Sequence, residues 1–136
     1  MEAVARQFAR NEKALVVRNG WFSYRWSQII ETGGLTADTT VMKARRVGNS
    51  TPAPFAPAPR DEVTDRIRSE KPAVVFAPHV ETAAGVILPD EYIAALADAA
   101  HEAGALMVLD CIASGAAWVD MAATGVDVLI LSLIHI

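Results

Sequence analysis

Polar residues with possible chemical roles follow three apolar runs of the sequence, at positions 18–20, 79–82 and 110–111. If these runs are parallel strands of one sheet, their carboxyl ends meet at one edge, where open α/β sheets bind their ligands. The three clusters, which include Thr82 and Asp110, could therefore converge on a single site although they are far apart in the sequence.

Asp110 has two interpretations that rest on the residues alone. It ends the apolar run Leu-Met-Val-Leu, where water is scarce, so its carboxylate needs a partner. It can cap the turn that follows, which its position alone favours, or it can pair with a cationic ligand. A pyridinium nitrogen would be such a ligand, because the carboxylate keeps the ring protonated and the ring then acts as an electron sink.

Composition and short motifs exclude several other classes. The chain has 136 residues, the size of one domain, and its 12 basic and 16 acidic residues give no support for nucleic-acid binding. No apolar run approaches the roughly 20 residues of a membrane helix, and the charged start does not resemble a signal peptide. A single cysteine, no Cys/His metal spacing, no dinucleotide fingerprint and no P-loop leave a cytoplasmic α/β protein without a metal as the expectation.

Hydrophobic periodicity predicts strands that alternate with helices. The predicted strands are 14–17, 39–47, 73–77, 105–109 and 126–130, and the predicted helices are 2–11, 21–31, 60–70, 89–103 and a short turn near 119–124. The proline-rich stretch 48–59 is expected to be an exposed connection. Strands separated by helices in this way indicate the α/β class, with a mainly parallel sheet flanked by helices.

Three motifs carry a family resemblance. They are N-G-x-F-x-x-R at 19–25, H-x-E-T-x-x-G at 79–85, and the apolar run that ends in Asp110 and is followed by I-A-S at 112–114. Together they resemble class V aminotransferases, pyridoxal-phosphate enzymes of fold type I, in the alanine–glyoxylate and serine–pyruvate branch. The resemblance covers nearly all of residues 1–130 and implies a partial large domain with pyridoxal 5′-phosphate as its cofactor.

The resemblance also implies roles for four residues. Asp110 matches the catalytic carboxylate that pairs with the pyridine nitrogen, and Phe22 matches the aromatic residue that stacks on the cofactor ring. Thr82 matches a hydroxyl residue that contacts the cofactor, and Ile112 matches the aliphatic residue on the opposite ring face. Without the family, Phe22 and Ile112 would be interpreted as core residues and Thr82 as a turn residue. Glu81 is expected to brace its loop.

The function implied by the resemblance is transfer of an amino group between a small amino acid and a 2-oxo acid, in a homodimeric parent protein. Cysteine desulfurase and kynureninase-like enzymes are alternatives within the same cofactor class. A non-catalytic α/β binding module is the alternative from a different class. A lysine shortly after the last predicted strand in the parent DNA would separate the enzyme from the module.

Both ends of the sequence look cut. The helix at 2–11 has no capping residue, and the peptide Leu-Ser-Leu-Ile-His-Ile at 131–136 matches one reading frame of a sequencing adapter, so it is interpreted as a non-native tail. The family's Schiff-base lysine and phosphate loop are expected outside 1–130, since the lysines of the sequence all lie upstream: Lys13, Lys43 and Lys71. The chain as given is therefore expected to be an inactive fragment of an enzyme.

Overall fold

The computed structural model of the protein describes residues 1–132. Within them the chain forms five helices: α1 Glu2–Phe8, α2 Tyr24–Thr32, α3 Arg60–Glu70, α4 Asp90–Glu102 and α5 Met121–Thr124. It also forms nine strands: β1 Ala14–Arg18, β2 Thr39–Lys43, β3 Arg45–Arg46, β4 Phe55–Ala56, β5 Val74–Pro78, β6 Val80–Glu81, β7 Val86–Ile87, β8 Leu106–Asp110 and β9 Val128–Ile130.

Five of the strands form one parallel sheet in the order β2-β1-β5-β8-β9. In the register of this sheet, Pro78 pairs with Asp110, and Asp110 pairs with Ile130. The last residues of three neighbouring strands therefore lie side by side, and the turns that follow them share one edge of the sheet.

Both faces of the sheet are buried, which explains why its central strands are continuous apolar runs. On β5, Val75 and Ala77 belong to the core under α3 and α4, whereas Val74 and Phe76 belong to the core under α1 and α2. Successive side chains of a strand point to opposite faces, so a strand covered on both sides needs an apolar residue at every position.

The predicted fold class, a mainly parallel sheet flanked by helices, is confirmed. Several predicted elements have different bounds. The helix predicted at 2–11 ends at Phe8, and the strand predicted at 126–130 begins at Val128. The helix predicted at 21–31 begins only at Tyr24, because residues 21–23 form a turn. The strand predicted at 39–47 leaves the sheet at Ala44, and its last part pairs with β4 in an antiparallel hairpin.

A second hairpin, formed by β6 and β7, was not predicted. Its strands have two residues each, too few to show an alternating pattern. Residues 133–136 of the predicted tail lie outside the described residues, so the boundary at 130 stays a prediction. Within residues 1–132, no helix is long and apolar enough to cross a membrane.

Candidate functional site

A cleft of about 560 Å³ lies at the edge where the sheet strands end. It is bounded by the turn after β1, the segment after β5 and the turn after β8, the three places where the sequence carries its polar clusters. Its lining residues are Met1, Phe22, Ser23, Arg25, Pro78, Val80, Thr82, Asp110, Ile112, Ala113 and Gly115.

All four site residues predicted from the sequence line this cleft. Phe22 lies in the turn between β1 and α2 with 57% of its surface exposed, so it is not a core residue in this structure. Thr82 is exposed in the turn of the β6–β7 hairpin, and half-buried Ile112 follows β8. Asp110 is the last residue of β8. The structure thus brings the four together, while their roles toward a cofactor remain proposals.

The Asp110 carboxylate is half-buried and poorly satisfied. Within residues 1–132 it accepts one hydrogen bond, from the backbone amide of Ile112 to Oδ1 at 3.1 Å. Burial raises the pKa of Asp110; the Ile112 amide and the positive charge of the amino terminus at Met1 oppose this effect, and the negative charge of Glu81 reinforces it. The turn-capping role predicted as an alternative is therefore real, but it leaves room for a cationic partner.

Trp26 also affects this carboxylate. Its indole is fully buried and stacks on Phe76 with 4.3 Å between ring centroids, and within residues 1–132 its Nε1 has no hydrogen-bond partner. The indole N–H is close enough to Asp110 to lower the pKa of that carboxyl, although its geometry falls short of a hydrogen bond. Trp26 therefore favours the charged form of Asp110 without lining the cleft.

Glu81 is a second carboxylate at this edge, and it is fully buried. Oε2 accepts hydrogen bonds from the amide and the hydroxyl of Ser23 at 2.8 and 2.7 Å. Oε1 accepts from the amides of Phe22 at 3.1 Å and Ala83 at 3.3 Å. Glu81 thus joins the turn after β1 to the turn after β5, whereas the sequence predicted only that it braces its own loop.

Gly20 makes this contact possible. A Cβ at position 20 would lie 2.7 Å from both Cγ and Cδ of Glu81, a distance that atoms in van der Waals contact do not reach. The Ser23 hydroxyl also accepts hydrogen bonds from the amides of Asn19 and Gly20. The backbone of the turn that carries Phe22 is therefore held by hydrogen bonds to the Glu81 carboxylate and the Ser23 hydroxyl.

A separate polar contact holds the turn after β8. Nδ1 of buried His79 lies 2.7 Å from the hydroxyl of Ser114, and the His79 amide donates to the carbonyl of Asp110 at 2.9 Å. Burial lowers the pKa of His79, which favours a neutral imidazole.

Cys111 follows Asp110 and is also buried, which raises the pKa of its thiol. A buried thiol with a raised pKa is a poor nucleophile, so Cys111 is a packing residue.

Sequence reasoning left Ser23, Arg25 and Trp26 out of the site. Arg25 is exposed at the rim of the cleft. Trp26 has the helical spacing of a core residue, and its ring is indeed part of the core. That spacing gives no sign of the effect of its N–H on Asp110. Ser23 carried a usable signal, because a serine just before a helix is a common cap.

The geometry defines an α/β protein whose cleft presents a carboxylate, an exposed aromatic ring and an aliphatic side chain. The sequence profile of the family described as aminotransferase class-V matches residues 1–133. The chain belongs to the class V aminotransferase family, and the prediction of that family is confirmed.

Solved structures share the fold. Ureidoglycine–glyoxylate aminotransferase from Bacillus subtilis matches with a TM-score of 0.76 and 21% identity, over 96% of this chain and 30% of that one. Alanine–glyoxylate aminotransferase from Nostoc sp. matches with a TM-score of 0.73 and 20% identity, over 96% and 31%. Pyridoxamine–pyruvate aminotransferase from Mesorhizobium loti matches with a TM-score of 0.72 and 16% identity, over 96% and 31%.

The chain thus spans about 30% of the length of the solved structures that it matches. Among the curated proteins, none matches the sequence significantly. The fold is part of the large domain of fold type I, as predicted.

The predicted cofactor, pyridoxal 5′-phosphate, is confirmed by the family to which the chain belongs. The residues of the cleft fit its ring. Asp110 has an oxygen without a donor in residues 1–132, and Phe22 and Ile112 offer apolar surfaces beside it. A flat cation is the ligand that such a set of groups would bind.

Proposed function

We propose that this chain forms the ring-binding part of the active site of a pyridoxal-phosphate-dependent transaminase. The observation that carries the proposal is the half-buried Asp110 carboxylate, which accepts one hydrogen bond at the floor of a cleft beside an exposed aromatic ring. Burying a carboxylate in this way costs free energy, and a cationic ring nitrogen would recover it.

The four cleft residues then have distinct tasks. Asp110 holds a proton on the ring nitrogen, and Phe22 and Ile112 keep the ring plane fixed between them. Thr82, exposed in its hairpin turn, contacts the cofactor through its hydroxyl. When bound, the protonated ring withdraws electrons from the substrate that is attached to the cofactor. Among these residues, Asp110 is the catalytic residue.

The covalent lysine comes from another segment in this proposal. In residues 1–132, none of the three lysines lines the cleft. Lys13 precedes β1 at the opposite edge of the sheet, where its Nζ lies 3.2 Å from Glu70. Lys43 ends β2 beside a different cleft, and Lys71 follows α3. We therefore propose that the 136 residues alone are inactive.

The substrates that we propose are a small amino acid and a small 2-oxo acid. The names of two solved relatives contain glyoxylate and a third contains pyruvate, and both are small 2-oxo acids.

We also propose a homodimer, because Trp21 exposes 69% of its surface next to Phe22 and exposed apolar patches mark interfaces. A cytoplasmic location agrees with a single buried, free cysteine.

The first test reads the DNA on both sides of the sequence. We expect a lysine within about ten residues after Ile130, the length of a short strand-to-helix connection, and a loop of small residues upstream of Met1. A reading frame without such a lysine would favour the non-catalytic module.

The second test uses the complete protein encoded by that reading frame. Purified with pyridoxal 5′-phosphate, it should transfer the amino group of alanine to glyoxylate. Asp110→Ala should reduce kcat on the order of 100-fold, since a preorganised charge at the reacting centre is lost. The matched control is Asp98→Ala, which removes an exposed carboxylate on α4 and should leave kcat unchanged. Full activity in Asp110→Ala would reject the site assignment.

A further inference from the structure

The Phe22 ring has little packing to hold it in place. More than half of its surface is exposed, and it lies in a turn ahead of α2 rather than in the helix. For a side chain without tight neighbours, the backbone sets the direction of the Cα–Cβ bond and so limits the positions that the ring can take. The position of the ring over the cleft therefore depends on what fixes the backbone of residues 19–23.

Glu81 is the group that fixes this backbone. It accepts hydrogen bonds from the amide of Phe22 and from both the amide and the hydroxyl of Ser23, across 58 and 59 residues of sequence. These donors lie at the start of α2, where backbone amides have no partner within the helix and where a negative charge is favoured. The Glu81 carboxylate thus caps α2 from another part of the chain.

Glu81 does not itself line the cleft. Its side chain has no exposed surface, and Gly20, which has no Cβ, packs directly against it. A group with no access to the ligand can affect binding only through the residues that it holds. Among the residues that donate hydrogen bonds to Glu81, Phe22 is the one whose apolar ring lines the cleft.

We propose that Glu81 is a positioning residue that holds the backbone of Phe22 in place over the cleft and thereby sets the affinity of the cleft for a pyridine ring. This inference rests on the proposed function. It differs from a purely structural brace, because a brace would stabilise the fold without a specific link to the Phe22 ring. The two roles predict different results when Glu81 and Phe22 are changed together.

The test is a double-mutant cycle in the complete protein freed of its cofactor. The variants are Glu81→Gln, Phe22→Leu and both together, and the probe is pyridoxamine 5′-phosphate, which binds without a covalent bond to lysine. Equilibrium dialysis gives Kd and thermal unfolding gives Tm for each variant. Glu81→Gln keeps the size of the side chain but places a donor amide where Glu81 faces three backbone amides and one hydroxyl.

We expect Phe22→Leu to raise Kd about 10-fold, since it removes the stacking contact. Glu81→Gln should also raise Kd about 10-fold, and the double variant should raise it about 10-fold rather than about 100-fold. If the two effects multiply to about 100-fold, Glu81 does not act through Phe22 and the inference is overturned. A wild-type protein that does not bind the probe would instead overturn the proposed function.

Ser23→Ala serves as the second variant if Glu81→Gln does not fold. It removes one of the four hydrogen bonds to Glu81 and leaves the charge in place. Its smaller rise in Kd should also disappear in the Phe22→Leu background, and persistence of that rise would overturn the inference. Glu62→Gln is the matched control, because Glu62 is exposed on α3 and should change neither Kd nor its coupling to Phe22.

Discussion

Two carboxylates lie at the same edge of the sheet, and their surroundings differ. Glu81 follows β5 without exposed surface and accepts four hydrogen bonds. Asp110 ends β8, stays half-buried, and within residues 1–132 accepts one. The two groups have the same chemistry and comparable positions in the fold, so their environments must account for their different roles.

The cause of the difference is the set of backbone amides that lies against each carboxylate. The start of α2, 58 residues earlier in the chain, packs against Glu81 and brings several unpaired amides to one place. Around Asp110, the turn that follows supplies the Ile112 amide alone among residues 1–132. A carboxylate whose hydrogen bonds are complete belongs to the scaffold, whereas one with an incomplete set is available to a ligand. Burial alone would not separate the two.

The largest expected effect comes from removing the satisfied carboxylate. Glu81→Ala should lower the free energy of unfolding by about 3 kcal/mol, because four buried or partly buried donors lose their acceptor at once. Urea denaturation of the complete protein measures this change. Glu62→Ala, which removes an exposed ion pair with Arg45, should cost at most about 1 kcal/mol.

An equal loss of unfolding free energy in these two variants would remove the distinction between a scaffold carboxylate and a surface carboxylate. Such a result would mean that water replaces the missing acceptor in the Glu81→Ala variant. The role assigned to Glu81 would then need another basis.

A smaller loss is expected at Gly20. Gly20→Ala places a Cβ 2.7 Å from two carbons of Glu81, whose side chain cannot move without breaking its hydrogen bonds. The cost should be about 1–3 kcal/mol of unfolding free energy, as for other overpacked sites. In a Glu81→Ala background the methyl group has space, so the same substitution should cost little, and denaturation of the double variant measures this difference. Equal costs in both backgrounds would show that Glu81 is not what requires glycine at this position.

Much of the fold follows from local sequence pattern. The five strands of the sheet and the helices around it were predicted near their observed positions, since continuous apolar runs and helical spacing are signals within one segment. The error at residues 21–23 has a different origin. Trp21 and Phe22 continue the apolar pattern of α2, but the helix begins after them because its cap, Glu81, comes from 58 residues away.

The same limit applies to the site. The position of Asp110 after an apolar strand was enough to mark it as a carboxylate in need of a partner. Its placement beside Phe22, Thr82 and Ile112 agrees with the resemblance, but no single segment contains that information. The contribution of Trp26 could not be predicted, because its effect on the pKa of Asp110 depends on how α2 packs on the sheet.

The smallest expected effect has the opposite sign and concerns Asp110. Burial raises its pKa in the folded state above the value of about 3.9 in an unfolded chain. Between these two pKa values the folded state binds more protons than the unfolded state, so the stability of the wild-type protein falls as the pH rises through that window. Asp110→Asn has no proton to lose, and its carboxamide oxygen can still accept the hydrogen bond from Ile112. In the cofactor-free protein the variant should therefore be more stable than wild type at pH 7, with a difference that vanishes below about pH 3.9. Urea denaturation across this pH range measures the difference, and equilibrium dialysis of pyridoxamine 5′-phosphate should show weaker binding by the same variant. A loss of stability at pH 7 would mean that Asp110 is a satisfied carboxylate like Glu81, and the contrast between the two would fail.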